Sequence, residues 1–321
     1  MTDPQIERKL IEIMRIINES DRPVGARIIA DELRNRGYNL GERAVRYHLR
    51  ILDERGFTEK HGYTGRSITL RGKEELEEAL IGDRLDFVIT RIEDLIYRTD
   101  YDPVTKQGNV IVNVSYVDKD DFEKTADLMR SAVNYSISPR VGIFEEDSED
   151  IFVSPGKVGI ATVCSITFDG VLLRHGIPVK PNFGGILAVE NNEPVVFKDL
   201  ISYRGTSIDP IKIFLMRQST SVTGLLQSGS GTILANMRSI PQSAAGDARL
   251  LFQQLHESDI GGLLAMDNES GNVLGAPVDV GMSGIVVSVG VNALAVVEEY
   301  GIDVTTRPVS MIMDYGTMKT L

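Results

Sequence analysis

The sequence predicts an α+β protein in two parts, an N-terminal all-α/winged-helix unit ahead of a duplicated α+β domain. Three observations carry that expectation. Helical periodicity in three short runs precedes a Gly-rich hairpin signal, a basic island lies in an otherwise acidic chain, and glycine-anchored strings recur downstream.

Leu10, Ile13, Met14 and Ile17 recur at helical spacing and place an amphipathic helix over residues 4–18. Asn18 to Pro23 breaks it with turn chemistry. A second helix covers 25–36 with Ile28, Ile29 and Leu33 inward, and Gly37 stops it. A third runs from 41 to 55. Strand-like runs at 57–60 and 66–70 then flank His61-Gly62-Tyr63-Thr64-Gly65, a hairpin turn. At about 100° per residue, Val45, Leu49 and Leu52 share one side of the third helix, and Arg43, Arg46, Tyr47 and Arg50 share the other. A major groove admits one helix, and outward guanidinium groups reach guanine edges or phosphates. Lys60 and Arg66 flank the turn, where a wing meets the backbone or the minor groove. A solvated basic face is the alternative for the same pattern.

Charge supports the first reading. The net charge is −12, yet residues 22–73 hold 12 basic and 6 acidic side chains while residues 99–321 hold 16 and 27. A basic island upstream of an acidic body is the footprint of a protein that touches phosphate with one module. The implied partner is double-stranded DNA, a palindromic operator read by a homo-oligomer that is at least a dimer. No run approaches the roughly 20 apolar residues of a membrane span. The opening MTDPQIERKL lacks an apolar signal core and reads as mature protein. The one cysteine, Cys164, allows no intrachain disulfide and fits a reducing cytoplasm. The four histidines lie too far apart for a zinc finger.

Residues 74–98 continue as helix with Leu85, Val88, Ile92, Leu95 and Ile96 along one stripe, which either pairs with a second copy or covers the winged helix. Residues 99–108 read as a polar linker, giving domains 1–73 and 109–321 with a helix and linker over 74–108. In the larger domain, Gly176-Ile177-Pro178-Val179 with Gly185-Ile186 matches Gly275-Ala276-Pro277-Val278 with Gly284-Ile285 at an offset of 99. Upstream, Gly108–Val114 matches Gly231–Met237 at 123. An insertion in the first copy, the acidic stretch 144–158, would explain the difference. The two diverged repeats cover about 109–218 and 230–321, joined by the Ser/Gly-rich run 219–231. Each reads as strand, helix (119–134 and 242–257), strands, the Gly-x-Pro-Val loop, another strand, and a closing strand after Pro210 or Pro308. Such duplicated units form a cleft suited to a small molecule. Residues 174–217 carry a net +2 and 218–321 a net −6, so the first copy's loop, with Lys180 and Arg204, is the expected anion holder.

The stretches IERKLIEIMRIINESDRPVGARIIADEL and GIATVCSITFDGVLLRHGIPVKPNFGGILAVE, with the closing RPVSMIMDYGTM, resemble the archaeal nitrogen-regulatory repressor family (NrpR) over nearly the whole chain. That resemblance implies a repressor of nitrogen-assimilation genes, released from DNA when 2-oxoglutarate rises, with no cofactor besides this effector. Some members carry two regulatory domains, and this chain has one, which leaves open whether a second protein supplies the other. General transcription factors are further partners it admits. A small dicarboxylate effector needs cationic or multi-donor groups at both ends. The candidates are Cys164, His175, Lys180, Asn182, Arg204 and Thr206. Two rivals stand beside the sensor. An enzyme finds no P-loop, dinucleotide fingerprint or nucleophile elbow, only a Cys164–His175 pair, so none is expected. An interaction scaffold would dimerise without binding small anions.

Overall fold

A computed structural model of the chain describes all residues except 1–3, 21, 36–37, 39, 63, 70, 74–75, 77–91, 147, 149–150, 152, 205–208 and 268–270. Leu85, Val88 and Thr206 of the sequence reading therefore lie outside the described residues. The chain divides into two units, Met1–Ile89 and Thr90–Leu321.

The first unit runs α1 (Pro4–Asn18), α2 (Ala26–Asn35), α3 (Glu42–Glu54), β1 (Thr58–Lys60) and β2 (Arg66–Ile68). Leu10, Ile13 and Ile17 of α1 meet Ile29 and Leu33 of α2 and Val45, Leu49 and Leu52 of α3 in one fully buried cluster. Each such side chain contributes about 1.5–3 kcal/mol by leaving water. Ile28 corrects the expected pattern: it is 63% exposed, and Ala30 takes the inward place beside Ile29. A helix stripe follows i, i+3 and i+4, and Ile29–Leu33 with Ala30–Leu33 satisfies it without Ile28.

Gly56 stops α3 with φ +75°, its N–H donating to the Asp53 carbonyl while the Phe57 N–H reaches Leu52. That is a glycine-dependent helix end. β1 and β2 pair antiparallel, and Val24 adds a bridge to Arg66 on the far side. At Gly65, φ is +131° and a Cβ would fall 2.3 Å from the Val24 carbonyl carbon, so only glycine lets the wing close on this strand.

His48 lies on the inward side of α3, buried, with Nδ1 lacking a hydrogen-bond partner among the described residues. Desolvation, then the Lys9 charge, lowers its pKa from 6.5. The unfolded chain therefore takes up a proton that the folded unit resists, and stability falls as pH drops below the unfolded value. Thermal melts from about pH 7.5 to about pH 5.5 are expected to show a falling midpoint for the winged helix, and a flatter profile for His48→Leu. An identical slope in both proteins would remove His48 as the cause.

In the second unit a helix over residues 92–98 precedes β3 (Asn109–Asp118), α4 (Phe122–Ser131), β4 (Arg140–Phe144), β5 (Lys157–Val163), α5 (Ile166–Arg174), β6 (Lys180–Glu190) and β7 (Glu193–Ser202). α6 (Pro210–Met216) and α7 (Val222–Ser228) follow, then β8 (Gly231–Pro241), α8 (Ala245–Glu257), β9 (Leu263–Asp267), β10 (Asn272–Val273) and β11 (Ala276–Pro277). β12 (Met282–Ser288), α9 (Asn292–Glu299), β13 (Thr305–Asp314) and β14 (Lys319–Thr320) close the chain.

The two large sheets have the orders β7-β6-β8-β12-β9 and β13-β3-β5-β4-β14. Each repeat is a β-α-β-β-α-β unit whose fourth strand crosses into the other repeat's sheet. β6 pairs with β8, and β13 pairs with β3. The strands correspond at offsets of 123 (β3 with β8, β4 with β9) and 125 (β5 with β12, β6 with β13), with the second offset read at Lys157/Met282 and Lys180/Thr305. The offset of 99 was a chance likeness: Ala276-Pro277 forms the small β10–β11 hairpin, and the acidic stretch 145–156 occupies the matching place in the first copy. Pro210 opens a helix rather than a strand, and the run 219–231 contains α7.

α5 and α9 carry the chain between sheets, so they are buried nearly all round, as helices apolar on every side should be. Both are fastened alike. Thr167 Oγ1 bonds both backbone groups of Ile111, and the Asn292 side chain bonds both of Leu234.

The segment expected as a polar linker is built into this unit. Tyr101 is wholly buried and donates to the Ser258 carbonyl, and Asp100 accepts from both nitrogens of Asn109. The boundary accordingly falls before it, at Ile89/Thr90. On the preceding helix Leu95, with Ile92 and Ile96, packs on Ile111, Cys164, Ile166 and Val309. That part of the stripe covers the second unit itself.

Candidate nucleic-acid interface and effector site

With Val45, Leu49 and Leu52 fixed inward, helix geometry turns Arg43, Arg46, Tyr47 and Arg50 outward, and all four are exposed. Arg46 pairs with Glu42 at 2.6 Å and Arg50 with Glu54 at 3.2 Å, each one helical turn away. Exposed pairs of this kind are worth about 0.3–0.5 kcal/mol, so they hold the guanidinium groups extended yet yield readily to phosphate. Lys60 is exposed at the end of β1. Arg66, expected at the DNA backbone, is engaged elsewhere: its Nε lies 2.9 Å from both Asp53 oxygens and its side chain is only 17% exposed. Thr58 Oγ1 donates to the same carboxylate at 2.6 Å. Asp53 thus ties both strands of the hairpin to the end of α3, and Arg66 positions the wing.

Of the effector candidates, Lys180, Asn182 and Arg204 lie at the end of the β6–β7 pair where Phe183 faces Ser202, and Cys164 and His175 flank α5. His175 is exposed at the end of α5, its Nδ1 against the Val171 carbonyl. Lys180 is exposed and lies 3.5 Å from Asp279, and Arg204 is exposed beside 205–208. Cys164 is buried just before α5, where burial pushes its thiol up to about 12, while His175 is exposed at the far end of that helix. Asn182 accepts from Ser239 Oγ at 2.8 Å, and its carbonyl accepts from the Tyr203 N–H.

Asn182 and Cys164 border a polar knot that the sequence reading missed. Arg238, in the middle of β8, is 2% exposed, and its Nε lies 2.5 Å from Asp169 Oδ1 on α5. Its Nη2 donates to the Ser165 carbonyl at 3.1 Å, and Asn236 Nδ2 donates to Ser165 Oγ at 2.7 Å. Tyr203 Oη donates to Asn236 Oδ1 at 3.0 Å. Arg238 Nη1 is buried with no hydrogen-bond partner among the described residues. Burial pushes the Asp169 carboxyl up and the adjacent guanidinium opposes it. Burial also raises Tyr203 well above its ordinary value, keeping it a neutral donor, and raises Asp209, which caps α6. A signal was present in the sequence: Asn236 and Arg238 interrupt the apolar run from Ile233 to Ile240. At the matching positions of the other repeat stand Asn113, Ser115, Gly290 and Leu294, so this charge pair occurs once. Among the described residues no group of His, Cys, Asp and Glu could hold a metal ion, and no helix is long and apolar enough to cross a membrane.

A winged helix with a basic outward face, leading into a duplicated domain with a buried guanidinium-carboxylate pair, defines a winged-helix transcription regulator. A family model for NrpR regulatory domains NRD1 and 2 matches residues 85–320, and one for the ribonuclease R winged-helix domain matches 11–76. The chain belongs to the NrpR family of nitrogen regulators. It is 57% identical to global nitrogen regulator NrpRI of Methanosarcina mazei over the full length of both chains. It is 36% identical to global nitrogen regulator NrpR of Methanococcus maripaludis, covering 96% of this chain and 54% of that one. To NrpR of Methanocaldococcus jannaschii it is 40% identical, over 73% of this chain and 41% of that one. The crystal structure of a nitrogen repressor-like protein from Methanococcus jannaschii superposes with a TM-score of 0.61 at 25% identity, covering 72% of this chain and 96% of the other.

Proposed function

We propose that the chain acts as a dimeric repressor of nitrogen-assimilation genes, gripping operator DNA through the outer face of α3 and the wing, and that 2-oxoglutarate releases it by binding at Arg238. One observation carries the effector half: Arg238 is a buried arginine whose Nη1 has no partner among the described residues, and it faces a carboxyl whose pKa burial raises. An anion entering there meets a preformed fork for a carboxylate. Asp169 can give up its place by taking a proton, which lowers but does not remove the cost of leaving it buried. Asn236, Tyr203 and Asn182 supply neutral partners for a keto group or second carboxylate, and exposed Lys180 and Arg204 favour the approach of a dianion.

An effector lowers DNA affinity only by favouring an arrangement in which the two recognition helices no longer match the half-site spacing. A mobility-shift titration of an operator at fixed salt is expected to show binding lost as 2-oxoglutarate is added. Operator affinity indifferent to the metabolite overturns the effector half, and indifference to double-stranded DNA at low salt overturns the whole.

A further inference from the structure

One helix touches both the Arg238 site and the segment through which the chain enters this unit. On α5, Asp169 meets Arg238, and Ser165, at its N-terminal end, accepts from Arg238 and Asn236. The neighbouring residue, Gly170, faces the other way. A Cβ there would fall 2.5 Å from Thr99 Cβ and 2.9 Å from the Ile96 carbonyl oxygen, so the end of the 92–98 helix lies directly on the α5 backbone. Thr99 is fixed in turn, its N–H and Oγ1 both donating to the Leu95 carbonyl. Cys164 and Ile166, either side of Ser165, pack on Leu95.

We propose that α5 is the relay by which occupancy at Arg238 moves the 92–98 helix, with Gly170 as the positioning residue. The inference rests on the effector reading above. An anion on Arg238 displaces Asp169 and loosens the Ser165 contact, which are the polar ties holding α5 to β8. Next to Asp169 on the helix, Gly170 has no side chain to absorb a shift, so its backbone packs directly on the Thr99 side chain and the Ile96 carbonyl. A close-packed contact transmits displacement rather than deforming. The 92–98 helix must follow α5, and the chain continues from it toward the winged helix. Coupling of this kind commonly amounts to about 5–150-fold between the two ligands.

The test compares wild type with Gly170→Ala in the full chain, measuring three quantities: 2-oxoglutarate affinity without DNA, operator affinity without 2-oxoglutarate, and the ratio of operator affinities with and without it. The added methyl forces α5 and the 92–98 helix apart. Effector binding is expected to persist within a few-fold while the ratio falls by about tenfold. Ile166→Ala, which trims the same contact without adding bulk, is expected to lower the ratio also, and it serves if the first variant fails to fold. A normal ratio in a folded variant overturns the relay and leaves the effector reading standing. Wild-type protein that binds no 2-oxoglutarate overturns both.

Discussion

Alanine at Arg43, Arg46 and Arg50 together is expected to abolish specific operator binding while leaving the protein folded. Each well-placed guanidinium contact to a base contributes about 1–3 kcal/mol, so even the low end for three residues lowers affinity by more than about a hundredfold. The fold should hardly notice. All three side chains project into solvent, their ion pairs with Glu42 and Glu54 are surface pairs, and the core residues of α3 are untouched. Exposed substitutions of this kind stay within about 0.5 kcal/mol. Mobility shifts with cognate and scrambled duplexes, beside a thermal melt, give both readouts. Lys60→Ala differs in kind: it weakens both duplexes alike and flattens the salt dependence by about one unit of slope. Unchanged affinity in the triple variant would leave α3 as an ordinary solvated helix.

The second large effect concerns Arg238. Replacing it with methionine leaves Asp169 buried without its cation, which costs about 3–5 kcal/mol. At roughly 2–4 °C per kcal/mol for a unit of this size, the melting midpoint should fall by about 6–20 °C. Adding Asp169→Leu removes the stranded carboxyl, and replacing a buried pair by apolar side chains is neutral or stabilising by about 1–4 kcal/mol. The double variant should therefore recover the midpoint, yet 2-oxoglutarate should neither stabilise it nor release it from DNA. Stability recovered together with a normal metabolite response would show that Arg238 is only structural.

The winged helix was largely legible because its signals are local. Helical period, the glycine stop at residue 56 and the hairpin turn each lie within a few residues of what they specify, and the outward basic face follows from the inward apolar one. Ile28 was misplaced because two adjacent apolar residues leave the phase of a short helix ambiguous by one position. The second domain was legible as a repeat but not in its register. Gly-x-Pro-Val is a turn string that recurs for local reasons, while the true correspondence runs through strands whose apolar residues are interchangeable. Nor does any local signal reveal that a strand completes the other copy's sheet. The Arg238 knot joins residues some 70 positions apart, Ser165 with Asn236 and Arg238, so only the unexpected charge within β8 could have marked it. His175, Lys180 and Arg204 carry charge near one loop in the sequence, and the fold leaves each at the surface.

The exchange of closing strands has an implication for ancestry. Neither half of the domain is a self-sufficient folding unit, since β3 pairs with β13 of the second copy (Tyr116 opposite Thr305) and β8 with β6 of the first (Ser239 opposite Lys180). A half-length forerunner would satisfy both hydrogen-bonding edges only by intertwining with a twin. Gene fusion would then have turned an obligate pair into one polypeptide, freeing one of two equivalent strand–helix junctions to lose its charge while the other kept it.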